Sequence, residues 1–179
     1  MYLDIIFQAV ANVEQKYFNL EVTYGNNFIV RERVFCYELY HQLRLLLKGR
    51  TDLTLNGEPD KRFHDDINKA DWRNPDFVIH RPNSWLDNAV VCEVKGKLNT
   101  KDPRGVLKDL DTLLIYTQKY QYKAGVFILY NHQLDELKAF LKKHENRIRV
   151  SSAYDKIHLI AVDSAILRDN PISLADALA

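Results

Sequence analysis

Between Ala89 and Tyr130 the chain reads strand, helix, strand, and that order constrains the fold more than any other stretch. Ala89 to Lys97 opens on Ala89-Val90-Val91-Cys92, a run suited to burial. Ala124 to Tyr130 is nearly all apolar, as a central strand covered on both faces requires. Between them, from Arg104 to Tyr120, Val106, Leu110, Leu113, Leu114 and Thr117 fall on one helical face. A helix of that length carries the chain back to the edge it left, so the two strands are expected to pair in parallel through a right-handed crossover. A sheet built this way needs helices on its faces, which predicts a layered α/β domain with a mixed sheet.

The strand before this unit is expected to run antiparallel to it. Asp76 to His80 contains Phe77-Val78-Ile79, Arg81-Pro82-Asn83-Ser84 breaks it, and the connection to Ala89 is short. A reversal centred between Ser84 and Trp85 sets Asp76 opposite Glu93. Side chains alternate along a strand, so Glu93 and Lys95 share one face and Val94 takes the other. A carboxylate and an ammonium thus leave together from a run that otherwise looks made for burial. Buried charge is costly unless it is paired or binds a metal.

The remaining elements follow from periodicity and breakers. Leu3, Ile6, Phe7, Val10, Val13 and Tyr17 mark a first amphipathic helix over Met1 to Tyr17, and Tyr24-Gly25-Asn26-Asn27 is a turn signal. A longer helix is expected from Phe28 to Lys48, ended by Gly49. Asp52 to Leu55 alternates as a short strand does, Asn56-Gly57 reads as a turn, and Phe63 to Asn74 is polar and irregular. Gln133 to His144 is a helix with Leu134, Leu137, Phe140 and Leu141 inward. Ile148 to Val150 and Ile157 to Val162 are late strands, and a short closing helix follows Asp169. The 179 residues fit a single domain, with residues 1–20 as an additional N-terminal helix, and no repeat is visible.

Composition narrows the function classes. Apolar residues make up 46% and charged residues 27%, enough for a sizeable core. The 25 basic and 24 acidic residues leave a net charge of +1, so nucleic-acid binding cannot be argued from global charge and any basic surface must be local. Two clusters qualify: Lys95, Lys97, Lys101, Arg104 and Lys108, and Lys142, Lys143, Arg147 and Arg149. Each alone reads as a solvated face before it reads as a phosphate track. Cys36 and Cys92 lack metal-finger spacing and read as small buried hydrophobes of a reducing compartment. No apolar run approaches ~18 residues and no signal peptide is evident, so a cytoplasmic protein without a membrane span is expected.

Two carboxylates and a lysine converging at strand ends suit metal-assisted hydrolysis of a phosphodiester. A divalent cation lowers the pKa of bound water and polarises the phosphoryl oxygen. Mg²⁺ prefers oxygen ligands and keeps several waters, so one or two carboxylates suffice. Asp76 and Glu93 are the expected ligands, and Lys95 would orient the attacking water and stabilise the pentavalent phosphorus. The structural alternatives are a turn carboxylate at Asp76, an exposed strand charge at Glu93 and an ion pair between Glu93 and Lys95. His64 with Asp65 and Asp66 sits in a short polar segment and reads as a solvated loop. Tyr116, Tyr120, Tyr122 and Tyr130 are read as packing residues before base-stacking ones.

Pro75-Asp76, Glu93-Val94-Lys95 and the order α-β-β-β-α-β around them resemble the PD-(D/E)XK nuclease superfamily. Glu32 to Arg44, Gly57-Glu58, His80-Arg81-Pro82 and Gly125-Val126-Phe127-Ile128 resemble a group of bacterial members of it. The resemblance covers roughly Phe28 to Tyr130. It implies a restriction-endonuclease-like three-layer fold, with a central mixed β-sheet flanked by helices. It implies an Mg²⁺- or Mn²⁺-dependent nuclease, a hydrolase of ester bonds acting on DNA in restriction or repair. It implies the Val94 carbonyl as a further metal ligand and a helix glutamate at the site. Glu38 is the expected helix residue, on a ridge with Val34, His41, Gln42 and Leu45, in preference to Glu32 near the helix start. Glu58 is a further candidate. The alternatives are an inactive nucleic-acid- or protein-binding module on the same fold, or a metal-dependent hydrolase of another substrate. Two copies could pair through an exposed apolar first helix.

Overall fold

The structure, a computed structural model, describes residues 2–21, 28–59, 67–81, 88–163 and 169–179. The expected turn at Tyr24 to Asn27, the His64-Asp65-Asp66 segment and the break from Pro82 to Ser84 lie outside the described residues.

A six-stranded mixed sheet runs through the molecule in sequence order: β3 (Thr54–Gly57), β4 (Phe77–His80), β5 (Asn88–Lys95), β6 (Ala124–Tyr130), β7 (Ile157–Val162) and β8 (Ile172–Ser173). The outer pairs are antiparallel, while β5, β6 and β7 are parallel. The crossover between β5 and β6 is α3 (Arg104–Lys119), and that between β6 and β7 contains α4 (Leu134–Lys143). All seven residues of β6 are buried, as its unbroken apolar run requires.

The sheet separates two apolar layers. On one face Val78, Val91, Phe127, Leu129 and Leu159 pack with Leu110, Leu113 and Leu114 of α3 and Leu137, Phe140 and Leu141 of α4. On the other, Phe77, Ile79, Val90, Cys92, Val94, Val126 and Ile128 pack with α1 (Tyr2–Ala11) and α2 (Glu32–Leu46). Alternation along β5 therefore puts Glu93 and Lys95 on the α3 face with Val91. Helix α2 contributes Phe35, Leu39 and Leu43, spaced by four. Phe35 stacks on Tyr130 with ring centroids 4.1 Å apart, and Phe18 meets both rings edge-on. The four tyrosines weighed for stacking on bases are all buried packing residues.

Several boundaries differ from expectation. The long second helix begins at Glu32 because Phe28–Ile29 (β2) pair instead with Leu20–Glu21 (β1) in a two-stranded ribbon. Asn56-Gly57 is not a turn: both residues lie in β3, opposite Val78 and Phe77. Ile148 to Val150 is not a strand. A 3₁₀ turn over Glu145–Arg147 precedes it, and only Ile148 is buried, with Val150 92% exposed. The first helix stops at Ala11, and its apolar residues Ile6, Ala9 and Val10 are covered in the α2 layer. That face is therefore largely used within the chain, with Leu3 and Phe7 half-buried against the same layer. The closing helix, α5 (Leu174–Leu178), starts at Ser173, whose Oγ accepts from the Asp176 N–H at 3.0 Å. Cys92 is buried and Cys36 half-buried, both as free thiols. No helix among the described residues is long and apolar enough to cross a membrane.

Candidate active site

The antiparallel pairing of β4 and β5 matches Phe77 with Cys92, Val78 with Val91 and Ile79 with Val90. One step further this register sets Asp76 opposite Glu93, the arrangement expected from the length of the connection. The ladder slips by one only at its far end, where His80 meets Asn88. Asp76 Oδ2 accepts the Val94 N–H at 2.7 Å, and its charge acts on the Glu93 carboxyl. Both acids stand where β5 ends, at the carboxyl edge of the parallel strands, where open α/β sheets place their ligands.

Lys95 is held by two acids from elements on opposite sides of the sheet. Its Nζ lies 2.9 Å from Asp109 Oδ2 of α3 and 3.4 Å from Glu32 Oε1 at the start of α2. The Asp109 contact is ionic, with angles outside those of a hydrogen bond. Glu32 Oε2 also accepts the Gly96 N–H at 3.2 Å. Glycine is required there by close approach: a Cβ on Gly96 would come within 2.4 Å of Tyr130 Cζ and 2.7 Å of Val30 Cγ1. The Tyr130 ring cannot retreat, because Phe35 stacks against it.

Asp76, Glu93, Lys95, Glu32 and Asp109 line a cavity of about 890 Å³, together with Lys69, Trp72, Arg73, Asn74, Lys108 and Thr112 among others. The burial of these acids shows in the titration of Glu93, Asp76 and Asp109. Burial raises the Glu93 carboxyl well above its ordinary value, and the Asp76 and Asp109 charges add to this. Glu93 is only 6% exposed. Burial lifts Asp76 to about 6; the Val94 N–H opposes the shift, and Glu32 and Asp109 reinforce it. Burial also raises Asp109, against the favourable Lys95 charge. Burial works against the Lys95 ammonium, yet Asp109, Glu32 and Asp76 more than offset this and hold its pKa above the ordinary lysine value. Lysine stays charged at neutral pH, while Glu93 holds its proton more tightly than an ordinary glutamate does, and a bound cation would displace it.

The structure brings together Asp76, Glu93 and Lys95, and it places Glu38 apart from them. Glu38 Oε1 accepts from Gln42 Nε2 at 2.6 Å along the outer side of α2 and does not line the cavity. Six residues separate it from Glu32, which turns it about a third of a revolution around the helix. The helix carboxylate facing the site is Glu32. Val94 has its side chain in the α1–α2 layer and meets the site through its main chain. Glu58 pairs with Arg33 at 3.6 Å and donates its N–H to the Asp76 carbonyl at 2.8 Å. It lines a smaller neighbouring pocket with Tyr37, Tyr40 and Phe77. His80 Nε2 lies 2.7 Å from Asn56 Oδ1, and His41 is exposed.

Asp109 is the site residue that the sequence reading missed. It occupies the apolar row of α3, three residues after Val106 and four before Leu113, and is 7% exposed. An acid in a buried helical row was the available signal.

Among the described residues, no three His, Cys, Asp or Glu side chains are grouped so as to hold a metal ion. The adjacent carboxyls of Asp76 and Glu93 nevertheless fit a hard divalent cation that takes one or two carboxylates and keeps its waters. Burial raises both their pKa values, so their anionic forms lack compensation that a cation would supply. No family model, no curated protein and no solved structure matches this chain.

Proposed function

We propose that the chain is a divalent-metal-dependent nuclease of the PD-(D/E)XK type, with a restriction-endonuclease-like fold, that hydrolyses phosphodiester bonds in DNA. The observation that carries this reading is the placement of Asp76 opposite Glu93 on paired strands, both lining one polar cavity, with Lys95 next along the same strand face. Mg²⁺ or Mn²⁺ bound there would neutralise developing charge and make water nucleophilic at neutral pH. Asp76 and Glu93 would hold the ion, with the Val94 carbonyl beside them.

The protein's own contribution is placement and charge. Asp109 and Glu32 fix the Lys95 ammonium from two sides, so it needs little reorganisation when the scissile phosphate arrives. Its raised pKa keeps it protonated, which suits it to stabilise phosphoryl oxygens and orient water, and unsuits it to remove a proton. The acids on the crossover helix and on α2 thus act as positioning residues.

The test is incubation with supercoiled plasmid and with single-stranded DNA, in Mg²⁺ and in chelator. Products are expected in Mg²⁺ alone. Lys95→Ala is expected to slow cutting by roughly 10²-fold or more, through loss of a preorganised charge at the phosphoryl group. Undiminished cutting by that variant would remove Lys95 from the mechanism. DNA binding without any metal-dependent product would overturn the reading in favour of a binding module.

A further inference from the structure

A second depression of about 600 Å³ adjoins the cavity and shares Arg73 and Lys108 with it. Its other lining residues are Arg104, Leu107, Asp111, Arg147 and Arg149. Five cations and one acid line this groove in a chain whose net charge is +1, so charge is segregated on the surface. The fold creates this patch. Arg104 and Lys108 belong to the first turns of α3, Arg147 and Arg149 follow α4, and Arg73 precedes β4.

We propose that this groove carries the phosphate backbone of the substrate strand to Asp76 and Glu93, a proposal that rests on the nuclease reading of that site. Asp111 receives Arg73 Nη2 at 2.9 Å and contacts Arg149 Nε, so one carboxylate presets two guanidiniums. Asp102 does the same for Arg104, through two bonds of 2.7 Å. Lys108 and Arg147 are exposed and form no ion pair among the described residues, leaving two cations for phosphates. Guanidiniums held in a fixed orientation suit the forked geometry of phosphate oxygens. A polyanion with regularly spaced charges fits a cationic groove that meets the cavity at Arg73 and Lys108. An acidic protein segment would match the groove charge but would gain nothing from its continuity with the cavity.

The experiment is fluorescence anisotropy of labelled DNA oligonucleotides, single-stranded and duplex, in chelator over a series of salt concentrations. The double variant Lys108→Glu/Arg147→Glu is compared with Lys138→Glu, a reversal on α4 outside both depressions. The double variant is expected to bind at least tenfold more weakly. The slope of log K against log salt should fall by roughly one to two, as loss of two phosphate contacts dictates. Lys138→Glu should bind within about twofold of the wild type. Because both reversed residues are exposed and unpaired, their replacement leaves the core intact, and circular dichroism confirms this before binding is read. Equal losses in the double variant and the control would overturn the groove, as would tighter binding of a polyglutamate peptide than of either oligonucleotide. Binding through the groove with no hydrolysis in Mg²⁺ would overturn the nuclease reading and leave the groove standing. Hydrolysis with undiminished affinity in the double variant would do the reverse.

Discussion

Glu93→Gln is expected to lower metal-dependent DNA cleavage by about 10³-fold or more while the protein stays folded. The substitution keeps the shape of a side chain that is 6% exposed and removes only its charge and one anionic ligand oxygen. A metal ion at such a centre contributes several kcal/mol of transition-state stabilisation, and each ~1.4 kcal/mol is tenfold in rate. Asp76→Asn should act in the same direction, because the two carboxyls line one cavity from opposed strand positions and would share one cation. Gel assays of nicked and linear product, with circular dichroism as the check on folding, measure both effects. Cutting by Glu93→Gln at the wild-type rate would remove the assignment of this carboxylate.

The same substitutions should stabilise the metal-free protein. Asp76 titrates at about 6 in the folded chain against an ordinary value of 3.8, so the folded state holds its proton more tightly than the unfolded state does. Stability is then greatest below about pH 4, declines as pH rises toward 6, and stays reduced above it. A shift of about two units corresponds to roughly 3 kcal/mol at neutral pH as an upper figure. Glu93 shifts in the same direction and adds to the loss. Lys95, whose pKa is raised, contributes stability that is present throughout this range and fades only above the ordinary lysine value. In chelator at neutral pH, Asp76→Asn should therefore melt above the wild type, with a flatter pH profile between about pH 4 and about pH 7. Its amide oxygen can still accept the Val94 N–H. Saturating Mg²⁺ should reverse the order, raising the wild type by binding only the folded state and leaving the variant nearly unmoved. A variant less stable than the wild type in chelator would contradict the electrostatic account of the site.

How much of this was legible in the sequence depends on whether local pattern or three-dimensional phase decides the point. The crossover from β5 to β6 was legible because a fully apolar run after an amphipathic helix has few ways to be buried. The pairing of Asp76 with Glu93 was legible only as the register of a reversal centred between Ser84 and Trp85, since strand alternation sets the face but a connection of this length lets the register slip. Glu32 was not, because the start of α2 is set by the ribbon of Phe28 and Ile29 with Leu20 and Glu21, a pairing that two-residue strands do not announce. Once the helix begins at Glu32, its first turn lies over the end of β5, and the ridge through Glu38 faces elsewhere. Asp109 was hidden by the apolar row around it. The basic groove was visible only as two separate clusters, since its cations come from three segments that meet in the fold.

The most direct test of the central claim is a crystal of the protein soaked in Mn²⁺ and measured for anomalous scattering. The account predicts one strong peak between the carboxyl groups of Asp76 and Glu93, absent from crystals of Glu93→Gln. No peak there at saturating Mn²⁺, or an equal peak in the variant, would contradict it.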